Sequence, residues 1–332
     1  MDLINDILQD IWKNLILPLI YFNDPGERIN YIYLLSSALL AYYVYNKAKI
    51  NIPFYRYIFH PKIWWSRSAF IDYKLFFFNG VIKIILILPL FQSWRFIGVY
   101  VNDFLEERLD LSSLILSKNQ TLIIYSIAII VVYDFIFYLI HLAFHKIPFL
   151  WEFHKIHHSA TTLNPITQYR LHPVELFINN VSFMLVSSIL MGVMDYFYQG
   201  SIQQLVYAEV NIFALLFLFW GANLRHSHVK LGYFNTLEKF IMSPFQHQIH
   251  HSDDPAHFDK NFGAKLSLWD RLFGTLARSN EIKHLRFGLG AKESEKYTHF
   301  MRTLTLPFTA IFQSLRPNKQ HKYRDRSSEL NN

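Results

Sequence analysis

TLIIYSIAIIVVYDFIFYLIHLAFH, residues 121–145, runs from a long apolar stretch into a histidine pair, His141 and His145. Roughly 20 apolar residues cross a bilayer core as one helix, so residues 121–141 read as a membrane span. On that helix His141 and His145 stand at i and i+4, on one face at the end of the span. Two further clusters follow, His154-Lys-Ile-His157-His158 and His247-Gln-Ile-His250-His251. Each lies beside a long apolar segment. Imidazoles at i/i+4 and i/i+3/i+4 spacings converge on one place, and eight of them read as a polynuclear metal site.

Composition supports the membrane reading. The 332 residues suffice for one or two domains, and they include 31 Phe and 20 Tyr at a positive mean hydropathy. The net charge is +7, with a pI near 9.3. No nucleic-acid module accompanies that charge, so an anionic lipid surface is the expected partner and nucleic acid is not. The chain has no cysteine, which excludes disulfides, thiolate metal sites and cysteine catalysis. Any metal must be held by histidine and carboxylate. Met1 to Phe22 lacks a basic n-region and a small-residue cleavage site, so a cleaved signal peptide is not expected. Leu3 to Phe22 instead reads as an interfacial amphipathic helix.

Five membrane segments are expected, at 29–46, 75–91, 121–141, 177–197 and 201–221. The fold class is thus all-α, a polytopic membrane bundle of about four to five helices. Loop charge orients it. Residues 47–74 hold Lys47, Lys49, Arg56, Lys62, Arg67 and Lys74, whereas residues 92–120 hold Arg95, Arg108 and Lys118 against Asp103, Glu106, Glu107 and Asp110. Residues 47–74, 142–176 and 222–332 are therefore placed in the cytoplasm. A hairpin turning at Tyr198, Gln199 and Gly200 separates the second cluster from the third, and it returns the chain to the side it left. All three clusters then meet in one cytoplasmic, helical, His-rich cap. The chain divides into N-terminal membrane helices and the amphipathic segment (1–120), a domain that carries all three clusters (121–278) and a C-terminal cytoplasmic extension (279–332). The tail from Arg316 on is polar and expected to be disordered.

Neutral imidazole suits Fe, Zn, Cu and Ni. One first-row metal takes about four to six ligands, so eight histidines call for two metals. His-Glu-x-x-His is absent, which excludes the zinc-protease arrangement. Closed structural zinc sites use four ligands and lean on cysteine.

The boxes His-x3-His, His-x2-His-His and His-x2-His-His, with spans between the second and third, resemble the fatty acid hydroxylase superfamily, the sterol desaturase-like branch above all. The likeness extends to the approach Asp134-Phe-Ile-Phe-Tyr138-Leu-Ile-His141 and to Asn164, Thr167, Arg170, His172, Pro173 and Glu175. It continues through Arg225-His226-Ser227-His228, Asn261-Phe-Gly263 and Trp269-Asp270-Arg271-Leu-Phe-Gly274-Thr275. The resemblance implies a non-haem di-iron oxidoreductase that uses O2 and two external electrons to hydroxylate or desaturate a lipid. It also implies that His226 is a ninth ligand.

Some residues are singled out as supports. An acid inside a span is usually functional. Asp134 shares a face with Tyr138 and His141, and is expected to accept the second ring proton of a ligand histidine and so to serve catalysis. His172 and His228 are candidates to back the ligands. Arg170 and Glu175 are expected to pair. Asn261, Trp269 and Asp270 read as scaffold, and Tyr55, Tyr57, Trp64 and Trp65 as an interfacial belt.

No flavin or NAD fingerprint is present and no cysteine could hold an iron–sulfur centre. Electrons are thus expected from an external donor, a cytochrome b5-like or ferredoxin-like carrier with its reductase, docking on basic loops. Rival readings are a pterin-dependent alkylglycerol monooxygenase-like enzyme, a non-redox zinc hydrolase of lipids and a metal-binding transporter. The last is disfavoured because the histidines lie at span ends rather than within spans. The expected location is a multi-pass position in the bacterial inner membrane, or in the endoplasmic reticulum if the source is eukaryotic.

Overall fold

Helix α4, Lys118–Lys146, and helix α6, Pro173–Tyr198, are the long rods of the molecule, and both are long and apolar enough to cross a membrane. At about 1.5 Å per residue they measure roughly 40 Å each, against a hydrocarbon core of about 30 Å. The computed structural model describes residues 21–109, 114–202, 212–282 and 284–315. Among these the remaining elements that matter are α1 (Tyr31–Lys47), α2 (Arg67–Ile82), α3 (Arg95–Arg108), α5 (Pro148–His158), α7 (Ile212–Phe219), α8 (Pro244–His250), α9 (Leu268–Leu272) and α10 (Phe300–Ser314). No strand occurs among the described residues, only isolated bridges at Ile241–Leu266 and Ser252–Phe287.

Local chemistry sets the ends of the rods. Ser117 caps α4 in a reciprocal box with Gln120. Pro148 disfavours helical geometry at Ile147, where α4 stops and the chain turns into α5. His172 caps α6, its Nδ1 accepting the Val174 N–H at 3.1 Å, with Pro173 at the first helical position. Gln199 ends α6 in the left-handed conformation. Helices α3 and α6 pack closely because Gly98 and Gly192 face each other, where any Cβ on Gly192 would run into the Gly98 carbonyl.

The expected spans 121–141 and 177–197 are these continuous helices. Elsewhere the helices are shorter. The 29–46 segment is the 17-residue α1. The 75–91 segment is interrupted by a π-helical stretch, Lys83–Ile87, where Lys83 Nζ bonds Glu27 at 3.3 Å. Of the 201–221 segment only α7 and its flanks are described, and the amphipathic stretch before Tyr21 and the tail from Arg316 lie outside the described residues.

The described stretch 284–315 of the extension is built into the fold. Tyr297 is buried with Ile71, Leu75 and Ile156. In α10, Phe308 packs on Phe153 and His172. A buried guanidinium joins α2 to α5. Arg170 is 1% exposed, pairs with Asp72 at 2.8 Å and donates to the carbonyls of Ser68 and Ile156. The expected Arg170–Glu175 pair is therefore corrected, since the two side chains have different partners.

Candidate metal centre

The nine histidines of the three boxes and position 226 form two groups. His141, His145, His154, His158 and His250 make the first, and His157, His226, His247 and His251 the second; within each group the ligand atoms lie within 4.8 Å of one another. Helix geometry explains the division. Residues at i and i+4 share a face, while i+3 points to the other side of it. His154 and His158 thus serve the first group and their neighbour His157 the second. His247 and His251 serve the second and His250 the first. His141 and His145 enter from the end of α4. His226 arrives on a short 3₁₀ turn, Ala222–His226, which the chain reaches from α7 through Gly221 at φ 88°.

The outward nitrogens account for the protons. A carbonyl or carboxylate can only accept, so the ring nitrogen facing it must carry the hydrogen. His141 Nδ1 donates to Phe262 O at 2.7 Å, His154 Nδ1 to Glu175 Oε1 at 2.7 Å, His157 Nδ1 to Arg170 O at 3.3 Å and His250 Nδ1 to Lys260 O at 2.8 Å. Each of these rings therefore turns an Nε2 lone pair inward. Two such lone pairs, on His141 and His154, face each other at 3.1 Å, and the buried Nε2 of His250 has no hydrogen-bond partner. Lone pairs packed this way repel unless a cation lies among them, so the donor set fits bound metal. His247 is different. Its Nδ1 accepts from Arg225 Nη2 at 2.9 Å, which leaves the proton of the neutral ring on Nε2, 3.1 Å from His226 Nε2.

Burial disfavours the charged form of these rings. It holds His154 down to about 3 and His157 to about 4, and it keeps His158, His226, His247, His250 and His251 well below the usual histidine range. These seven rings are held neutral at pH 7, the form that metal binding requires.

Asp134 does not orient a histidine. Its carboxylate accepts the backbone N–H of Lys265 at 2.6 Å and of Leu266 at 3.0 Å. It sits two turns before His141, about 10 Å along the axis, and so reaches the loop instead of the ring. Glu175 takes the role expected of Asp134. Asp270 also shapes that loop, accepting from the Phe262 and Gly263 N–H groups at 2.7 and 2.9 Å, so the carbonyl that holds His141 is fixed. His172 and His228 are outside both groups. His172 Nε2 bonds Leu304 O at 3.1 Å, and His228 lies against the Tyr57 ring at 4.6 Å. Glu175→Ala is expected to lower metal affinity 10- to 100-fold, the usual cost of losing such a support. Asp134→Asn should instead lower thermal stability at near-normal metal content. Metal titration and melting of the two variants check this, and equal metal losses would contradict it.

A cavity of about 300 Å³ opens on both groups, lined by His141, His154, His157, His226 and His247 together with Phe137, Phe144 and Leu176.

The model of the fatty acid hydroxylase family matches residues 126–275, a range that includes every histidine of both groups. Those residues are a fatty acid hydroxylase domain. Human alkylglycerol monooxygenase is 30% identical over 148 residues, 45% of this chain and 29% of that protein. An ornithine lipid hydroxylase of Rhizobium tropici is 26% identical over 183 residues, 54% of this chain and 49% of the relative. Human cholesterol 25-hydroxylase is 27% identical over 151 residues, 44% and 49% of the two chains. The chain thus spans between 29% and 49% of the length of these relatives. No solved structure matches it.

Proposed function

We propose that the protein is an integral membrane oxygenase that hydroxylates or desaturates a lipid at a di-iron centre held by the nine histidines. The observation that carries this reading is the paired groups of imidazoles, five and four, in which His141, His154, His157 and His250 turn free Nε2 lone pairs inward. Bound iron would supply the redox chemistry by which O2 attacks an unactivated C–H bond. The chain's part is positional. Phe262 O, Glu175 and Arg170 O fix ring tautomers, and Phe137, Phe144 and Leu176 give an apolar wall for substrate. The similarity to lipid hydroxylases supports the reaction class. On this reading the centre faces the cytoplasm, where a carrier of the cytochrome b5 or ferredoxin kind delivers electrons to basic loops. The alkylglycerol monooxygenase match favours a second reading, an ether-lipid substrate with electrons from a reduced pterin.

Metal analysis of the full chain purified in detergent is expected to give about two iron ions per chain, with O2 consumed only when lipid and donor are both present. Zinc alone, or lipid turnover without O2, would overturn the proposal. Replacing the carrier by a reduced pterin separates the two donors.

A further inference from the structure

The cavity at the metal ligands has a strongly cationic wall. The Arg28 guanidinium lies over the Phe217 ring, 5.6 Å from its centroid, with no ion pair or hydrogen bond to a described residue. Its backbone carbonyl accepts from Asn223 Nδ2 at 2.6 Å, which fixes the turn that carries it. Arg225, 3% exposed, approaches the same ring at 5.5 Å; its Nη1 donates to Ala264 O and its Nη2 to His247 Nδ1 and Gly263 O, while its Nε has no partner. Lys265 brings a third cation within 5.6 Å of that ring.

The nearby carboxylates are engaged. Glu27 bonds Lys83 at 3.3 Å and the Tyr169 hydroxyl at 3.0 Å. Asp134 lies beside Lys265 and offsets one charge, but both its oxygens hold backbone N–H groups. Glu175 lines the same cavity, its Oε1 on His154 Nδ1, so three cations face two carboxylates, one positive charge stays uncompensated among the described residues, and the neutral imidazoles add nothing to balance it. Arg28 is partly buried, and Arg225 is fully buried with carbonyl and imidazole partners but no carboxylate bonded to it, a costly arrangement for an ion. Two of these cations, Arg28 and Arg225, line the same cavity as His157 and His226.

We propose that Arg28 and Arg225 bind the anionic end of the substrate lipid, a carboxylate or phosphate, inside the cavity that the ligand histidines line. The proposal rests on the oxygenase reading for the word substrate; the binding site stands on its own. The Arg28 guanidinium can bind two oxygens of a carboxylate or phosphate in a forked pair, and Arg225 can add a single bond from its Nε. Phe137, Phe144 and Leu176 would cover the first carbons of the chain. Ligand pockets run from about 300 to 1,000 Å³, so a cavity of about 300 Å³ holds a headgroup and few carbons. The oxidised carbon then lies close to the anionic end, not far along the tail.

Binding to the full chain in one non-ionic detergent tests this. Dodecanoate and dodecyl phosphate are compared with methyl dodecanoate and dodecanol, on the wild type, Arg28→Met and Arg28→Lys. Micelle partitioning is common to all three proteins and cancels between them. The anionic ligands should bind the wild type at least ~10-fold more tightly than the neutral ones. Arg28→Met should lose that preference and Arg28→Lys should keep part of it. Equal binding of neutral and anionic ligands by the wild type would overturn the proposal, as would an Arg28→Met protein that elutes and melts like wild type and keeps the preference. Inorganic phosphate that binds as tightly as dodecyl phosphate would also overturn it, by marking a site for a free anion. Binding needs no turnover. A protein that prefers the anions but never consumes O2 would sink the oxygenase reading alone.

Discussion

His250→Ala is expected to behave like His145→Ala and unlike its neighbour His247→Ala. His250 stands in the third box, yet its ligand atom belongs to the group built from His141, His145, His154 and His158. His157 crosses the other way, from the second box to the group of His226, His247 and His251. Losing His250 should therefore empty the first position and leave the second filled, so bound metal falls by about half. Losing His157 should do the reverse. Turnover should fall by more than ~100-fold in both, since even an outer support costs 10- to 100-fold and on the proposed function these rings would hold the metal themselves. Metal analysis and steady-state rates on the four variants check the partition. A His250→Ala protein with full metal and normal turnover would show the grouping to be wrong.

The two histidine groups were legible in the sequence because the signal is local. Histidines three and four apart beside apolar runs must share a helix end, and only packing decides where the ends meet. What backs the ligands was not legible. Glu175 stands only two residues beyond Pro173, and its carboxylate reaches His154 across a 21-residue separation that local spacing does not encode. Asp134 misled for the same reason. Its place on the face of His141 was read correctly, but its partners are backbone N–H groups 131 and 132 residues away. Asp72 was hidden in what read as a basic loop, where Ser66 in fact caps a helix that begins at Arg67. His172 carried a readable local signal, since a residue before proline often caps a helix and the ring does so here. The broken 75–91 segment follows from Lys83, which is drawn to Glu27 on a turn far away in the chain.

Asp72→Ala is the substitution expected to damage the fold most. Asp72 is 0% exposed, and it neutralises Arg170, which is 1% exposed. Removing the carboxylate leaves a buried guanidinium without its counter-charge and takes an acceptor from Thr167 Oγ1, now bonded at 2.7 Å. Breaking such a pair from one side costs about 3–5 kcal/mol, a large share of the roughly 5–15 kcal/mol that stabilises a domain. A fall in melting temperature on the order of 10 °C in detergent is expected. The double change Asp72→Ala with Arg170→Met should fall less, because no orphaned charge remains. If the double variant melts lower than the single one, the cost lies in lost hydrogen bonds and not in charge. The consequence reaches the metal centre through two atoms. Arg170 O accepts from His157 Nδ1, and Arg170 Nε holds the carbonyl of Ile156 beside it at 2.9 Å. A loosened Arg170 therefore frees the His157 ring, and the second group should lose metal before the first.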